Sequence, residues 1–319
     1  MLLKKFLLIA ILTIGASGPP LNAIAAEANA GVKIEPFLNI YYDDNITYER
    51  DASRKKTDVI LEPGISASYK TKYPVFYTRF FGGITGELYK NYSAYSYGIY
   101  KIGIAQGLPN RMSTTMRYSL MPNVCLEEDA AGTACAESTD YHTFSLSLDK
   151  DFTDALFGGV YGKYGIKNYE TRYNYKDTGV IGGGADATYR IAKIVKIGIG
   201  YSYERGVADG ENNSRYNNDI SYFQHVIFIR PTFNITRDLS LSFRYLFRDK
   251  EYTTNLVADR DHYNRKDITH KFQLKAGYWA LKNLELTVSY ERAQKDSNVD
   301  YYDYHQNLFM IGGKYLFNF

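Results

Sequence analysis

The sequence predicts an all-β protein, a transmembrane antiparallel β-barrel of about 14 strands behind a cleaved signal peptide. Three observations predict it. Apolar and polar residues alternate with a period of two through most of the chain, which is the spacing of a strand with two unlike faces. Short and long connections alternate between these stretches, as in membrane barrels. The last strand closes on an aromatic residue.

Composition agrees. The 319 residues include 32 Tyr, 17 Phe and 26 Gly against one Trp and 8 Pro. Aromatic residues pack well on pleated strands and form the girdles of membrane barrels. The mean hydropathy of −0.36 excludes a bundle of membrane helices, which is apolar throughout. A barrel keeps one polar face, so its average stays low. The formal net charge is +3, of which Lys4 and Lys5 supply two, and so even a balance argues against nucleic acid as a partner.

The N-terminus reads as a secretory signal. Lys4 and Lys5 form its basic region, Phe6 to Ile14 its apolar run, and Ala23-Ile24-Ala25 its small-residue cleavage site. The run is too short to span a membrane. Residues 1–25 are therefore assigned to a signal peptide, and 26–319 to a single barrel domain.

Within that domain, segment 58–70 sets Val59, Leu61, Ile65, Ala67 and Tyr69 against Asp58, Glu62, Ser66, Ser68 and Lys70. Segment 239–248 sets Leu239, Leu241, Phe243, Tyr245 and Phe247 against Ser240, Ser242, Arg244 and Arg248. Segment 284–291 sets Leu284, Leu286, Val288 and Tyr290 against Glu285, Thr287, Ser289 and Glu291. Such strands are longer than the five or six residues usual in globular sheets, and a tilted membrane strand needs ~9–11. Short turns are expected near 71–74, 108–110, 150–154, 192–193, 234–238 and 281–283. Longer loops are expected near 43–56, 89–95, 123–140, 170–177, 206–218, 254–265 and 298–303. The segment 220–231 alternates poorly.

Cys125 and Cys135 fall in the expected loop at 123–140, among Glu127, Glu128, Asp129, Ala130 and Gly132. In an exported chain such a pair forms a local disulfide by default. At the other end, Tyr315, Phe317 and Phe319 share a face with Phe309, Ile311 and Gly313, opposite Gln306 and Lys314. This ending resembles the terminal signal read by the outer-membrane assembly machinery. It implies that machinery and outer-membrane lipid as partners, in a Gram-negative envelope.

A further resemblance covers Ile34 to Tyr92, about the first quarter of the mature chain. It is carried by Tyr41-Tyr42-Asp43-Asp44-Asn45-Ile46, then Thr57-Asp58-Val59-Ile60-Leu61-Glu62-Pro63-Gly64-Ile65-Ser66, then a strand ending Glu87-Leu88-Tyr89. The region resembles the start of the β-barrel porin families associated with exopolysaccharide and capsule systems. The resemblance implies an outer-membrane barrel that acts as a porin or serves polysaccharide secretion alongside export components. It implies no catalytic residue.

With the apolar face toward lipid, the other face lines a lumen. Its basic candidates are Arg79, Arg117, Lys163, Lys167, Lys196, Arg244, Arg248, Lys271, Lys275 and Lys314. Its acidic candidates are Glu62, Glu87, Glu204, Glu285 and Glu291. A basic surplus would concentrate anions, whether small solutes or an acidic glycan; cross-strand pairing of the same charges would only stiffen the wall. The tyrosines at 89–100 and 301–304 read as an interface girdle rather than a sugar-stacking vestibule.

No catalytic, metal or cofactor site is assigned. Asp259, Asp261 and His262 could be drawn as an acid and histidine constellation, but they read better as chance neighbours in a solvated loop. Asp43-Asp44-Asn45 offers hard oxygens suited to calcium and reads better as a hydrogen-bonded turn. His142, His225, His262, His270 and His305 lack a compact ligand spacing. Gly182-Gly183-Gly184 reads as a barrel kink or a close-approach site. The functional expectation is a passive channel or export pore. A structural or adhesive barrel with a blocked lumen is the alternative, and an outer-membrane hydrolase lacks a motif. A sheath around a cytochrome would need a wider bore.

Overall fold

A computed structural model describes residues 30–73, 76–128 and 134–319. The signal-peptide segment 1–25, and Asp129, Ala130 and Gly132, lie outside the described residues.

The alternating segments form one closed antiparallel barrel of 14 strands. In chain order these are β1 (Gly31–Asp43), β2 (Asp58–Lys72), β3 (Tyr77–Tyr89), β4 (Tyr97–Leu108), β5 (Met112–Glu128), β6 (Cys135–Asp151) and β7 (Leu156–Tyr169). They continue as β8 (Thr178–Ala192), β9 (Val195–Ala208), β10 (Tyr222–Asn234), β11 (Leu239–Tyr252), β12 (Lys266–Leu281), β13 (Leu284–Ser297) and β14 (Tyr304–Tyr315). The two-residue β15 (Phe317–Asn318) prolongs β14 past a break at Leu316. Each strand pairs with its sequence neighbours, and β1 closes the ring on β14 from Phe37↔Lys314 to Asp43↔Leu308. The seam is finished by β15 and by reciprocal hydrogen bonds between Val32 and Phe319, at 3.1 and 2.9 Å. Closure leaves no open sheet edge, which is the condition for strands to lie in hydrocarbon. Among the described residues no helix is long and apolar enough to cross a membrane.

Connections are short at one end, such as 193–194 and 282–283, and long at the other, such as 44–57 and 253–265. The long end is the outer one by the rule for such barrels. Outward side chains between the ends are apolar and exposed, including Leu38, Phe80, Phe144, Ile227 and Ile311, the last 65 % exposed. A soluble protein does not present such a belt to water, so this belt faces lipid.

One expected loop is not a loop. Residues 123–128 and 135–140 continue β5 and β6 as a paired ribbon, with Val124↔Thr139 and Cys125↔Ser138, after a register shift beyond Met121. Acidic and small residues suggested a loop. Val124, Cys125 and Leu126 are instead buried, and burial of this apolar triplet outweighs the loop-like composition around it. Cys125 and Cys135 are joined by a disulfide at the base of the ribbon tip. The weakly alternating segment also starts late: Ile220 and Ser221 precede β10, and both are fully buried in the outer loops.

Candidate functional site

The inner face of the barrel divides into two halves. Toward the short-turn end the inward residues are partly exposed and polar. Toward the outer end they are buried and rich in tyrosine.

Strand parity places Arg79, Arg117, Lys163, Lys167, Lys196, Arg244, Arg248, Lys271, Lys275 and Lys314 on the inner face. Glu62, Glu87, Glu204, Glu285 and Glu291 lie there too. It adds Lys101, Arg190, Arg230, Lys250 and Lys295, and the acids Asp149, Asp186 and Asp267. Parity carried through the weakly alternating strands would have found these; Arg230 sits in the stretch where alternation faded.

The acids are mostly engaged. Lys163 of β7 reaches past β8 to pair with Glu204 of β9. Gly182 lies between them, and a Cβ there would stand 3.0 Å from the Lys163 side chain and 2.8 Å from a β9 carbonyl, so only glycine allows the bridge. Tyr222 and Gln224 also donate to Glu204. Lys271 pairs with Glu291 at 2.5 Å and Lys314 with Glu285 at 2.8 Å. Glu62 accepts from Tyr41 and Asn39.

Three arginines are held differently. The Phe81 ring lies flat across Gly103, its register partner, because that position has no side chain. The guanidiniums of Arg79 and Arg117 sit 5.5 and 5.6 Å from this ring. Phe228 lies across Gly200 in the same way, with Arg244 at 5.0 Å. Glycine opposite an aromatic is a recurrent way to settle a ring on a sheet, and a ring face attracts a guanidinium without neutralising it. No carboxylate among the described residues lies within ion-pair distance of these three arginines. Arg248, 1 % exposed, stands deeper in the bore with its Nε and Nη1 lacking partners among the described residues.

The outer half is filled. Tyr97, Met121, Tyr141, Tyr169, Ile220 and Tyr302 belong to one packed cluster drawn from opposite walls of the barrel. Tyr89 and Tyr95 pack in a second cluster, and Tyr48 and Tyr304 in a third. This corrects the girdle reading of the tyrosine-rich stretches, of which Tyr100 and Tyr301 are the exposed members. The reason is parity. Tyr89 and Tyr97 fall in step with the inward Glu87 and Ile99, and a phenol suits a crowded bore as well as a membrane interface.

The loops above are interlocked. Arg265 makes two hydrogen bonds to Asp267, at 2.8 and 2.6 Å, and its guanidinium lies 3.3 Å from the Tyr302 ring centre. Lys295 and Ser297 also hold Asp267, at 3.4 and 2.7 Å. The Asp219 amide donates to Asp259 at 2.7 Å, and the Asn298 side chain donates to the Asn264 carbonyl. Asp43 accepts from the Asn45 amide and from Gln306, and Asp44 holds Asn307, so this turn is built from hydrogen bonds. Among the described residues no group of three or more His, Cys, Asp or Glu side chains could hold a metal ion.

Asp259 and His262 meet at 2.8 Å, yet they are sealed rather than solvated, at 1 % and 0 % exposure. The ring donates from Nδ1 while its Nε2 has no partner among the described residues. Protonating Nε2 would bury an unsatisfied N–H, and burial holds the ring below the ordinary histidine range. The closed loops therefore bind fewer protons here than opened ones. Their stability is full above the ordinary histidine pKa and falls as pH drops through it. Amides of Asp219, His262 and Arg265 should exchange faster at about pH 5.5 than at about pH 7.5, after correction for intrinsic rates. In His262→Phe that difference should vanish; an unchanged difference would mean another group controls it.

No family model matches the sequence, and no curated protein matches it. Solved structures do. The outer membrane channel DcaP of Acinetobacter baumannii aligns with a TM-score of 0.51 at 13% identity, over 91% of this chain and 98% of that one. A loop-deletion mutant of the outer membrane protein OmpT of Vibrio cholerae aligns at 0.49 and 13%, over 90% and 99%. The outer membrane protein OprD from Pseudomonas aeruginosa aligns at 0.44 and 12%, over 91% and 94%. The fold is that of outer-membrane β-barrels, and the lipid-facing belt places this chain in the outer membrane.

Proposed function

We propose that the barrel is a porin-like outer-membrane channel whose basic vestibule favours anions and whose outer half is shut in the conformation described. The observation that carries this reading is the division of labour among the bore charges. Lysines neutralise glutamates, while Arg79, Arg117 and Arg244 rest on phenylalanine rings and keep their charge. Guanidiniums presented this way suit carboxylates and phosphates. A focused positive potential in a low-dielectric bore raises the local anion concentration.

The test is a planar bilayer with a salt gradient. Wild type should reverse at a potential favouring the anion. The triple variant Arg79→Gln, Arg117→Gln, Arg244→Gln should move that potential most of the way to zero. An unmoved reversal potential in a conducting triple variant would defeat the anion reading while leaving the channel intact.

The second reading, a structural or adhesive barrel, draws on the filled outer half. It predicts silence in the bilayer even after the outer loops are loosened. Passage of a polysaccharide rests on the resemblance of residues 34–92, and of the candidate solutes an acidic glycan suits the arginines best. A polyuronate that blocks the anion current would favour it. Delivery by the barrel assembly machinery rests on the ending Tyr315, Phe317 and Phe319.

A further inference from the structure

The chain has 5 histidines, and four of them form a pattern that no channel role explains. His142, His225, His270 and His305 all point outward, on β6, β10, β12 and β14. Each stands about ten residues from the short-turn end of its strand. At the rise of a tilted strand that distance is roughly the 25 Å height of an apolar belt. All four therefore sit where the outer leaflet's hydrocarbon gives way to headgroups.

Three share one construction. The hydroxyls of Tyr118, Tyr201 and Tyr245 meet Nδ1 of His142, His225 and His270 at 2.8, 2.7 and 2.8 Å. In the tautomer in which the phenol donates to Nδ1, the ring proton sits on Nε2 and is free to be given to another acceptor. On β12–β14 these donors gain company. His270, Gln294 and His305 lie in one register row, and Arg292 lies one step nearer the belt, between Phe272 and Asn307. Arg292, Gln294 and His305 are exposed. No carboxylate among the described residues lies within ion-pair distance of Arg292. The acids nearby are engaged: Asp296 accepts from Gln294 at 3.2 Å, and Asp44 accepts at 2.7 Å from Asn307, the register partner of Arg292.

An exposed guanidinium flanked by two imidazoles at headgroup height matches one chemistry. We propose that the outer face of β12–β14 binds the phosphate of a lipid headgroup, with Arg292 as its charge, His270 as a donor oriented by Tyr245, and the exposed His305 beside it. Arg205, exposed and one step above the Tyr203↔His225 pair, repeats part of the arrangement on β9–β10.

Native mass spectrometry of the folded full chain tests this, with phosphatidic acid and phosphatidylcholine of the same acyl chains offered together. Wild type should retain phosphatidic acid in preference by about fivefold, the effect of one basic side chain near a charged membrane surface. Arg292→Gln with His305→Phe should erase the preference while the barrel keeps its heat-modifiable mobility on a gel. Arg111→Gln, in the turn at the opposite end, should leave it intact. The site is refuted if wild type shows no preference, if the double variant retains it, or if Arg111→Gln abolishes it.

Discussion

Asp267→Ala should weaken the outer closure by about 3–5 kcal/mol, the usual cost of leaving a buried charge without its partner. Asp267 is fully buried, and it answers both Arg265, 2 % exposed, and Lys295, 3 % exposed. Without the carboxylate, two cations would stand in a tyrosine-lined interior, and the loops would open to hydrate them. Limited proteolysis should cut within 253–265 and 298–303 at rates wild type does not show. Bilayer recordings should show longer or larger openings. Asp267→Asn should fall between, since it keeps hydrogen bonds and loses the charge. Combining Asp267→Ala with Arg265→Met and Lys295→Met should recover much of the loss, because an apolar replacement of a whole ionic cluster is often neutral. If Asp267→Ala left proteolysis and conductance unchanged, this cluster would not hold the bore shut.

The second large effect is expected at Glu204. It is 4 % exposed and is the shared acceptor of Lys163, Tyr222 and Gln224. Glu204→Ala strands Lys163 and leaves two donors unsatisfied, so a loss of about 3–5 kcal/mol is again expected. Here the position is in the strand wall, on β9, rather than in the loops. The readout is therefore the temperature at which the barrel loses its compact mobility on a gel, not loop proteolysis. The bore would also gain net positive charge, so any remaining conductance should favour anions more strongly. A drop in thermal resistance without that change in selectivity would place Glu204 outside the conduction path. Glu204→Gln should fall between in stability, since it keeps an acceptor and loses the charge, and should show the change in selectivity.

The barrel was legible in the sequence because lipid imposes a strict rule. Every second residue from Leu38 to Phe309 must be apolar or aromatic where it meets hydrocarbon, so parity alone orders the charged residues inward. What parity does not contain is distance. The Lys163 and Glu204 pair depends on β7, β8 and β9 bringing the two side chains level across Gly182, and no spacing along the chain reveals that register. The same holds for Phe81 lying across Gly103. The tyrosines were misplaced for a different reason. Tyr89 and Tyr301 carry the same side chain in two environments, and only the folded loops decide which one enters the bore. Asp259 and His262 read as solvated because charge density usually marks a surface, whereas here the Asp219 amide and the Tyr252 ring close on them.

The outer closure joins parts of the chain that are far apart in sequence. Asn45 donates to the His305 carbonyl across 260 residues, and Gln306 to Asp43 across 263. Contacts of that separation are the slowest to find one another. They cannot exist until β1 and β14 have met, so this side of the cap forms only with ring closure or after it. Until then Tyr48 and Tyr304, which pack on one another across that seam, stay wet. The closing of the ring and the sealing of this side of the bore are thus one event, since the same two strand ends carry both.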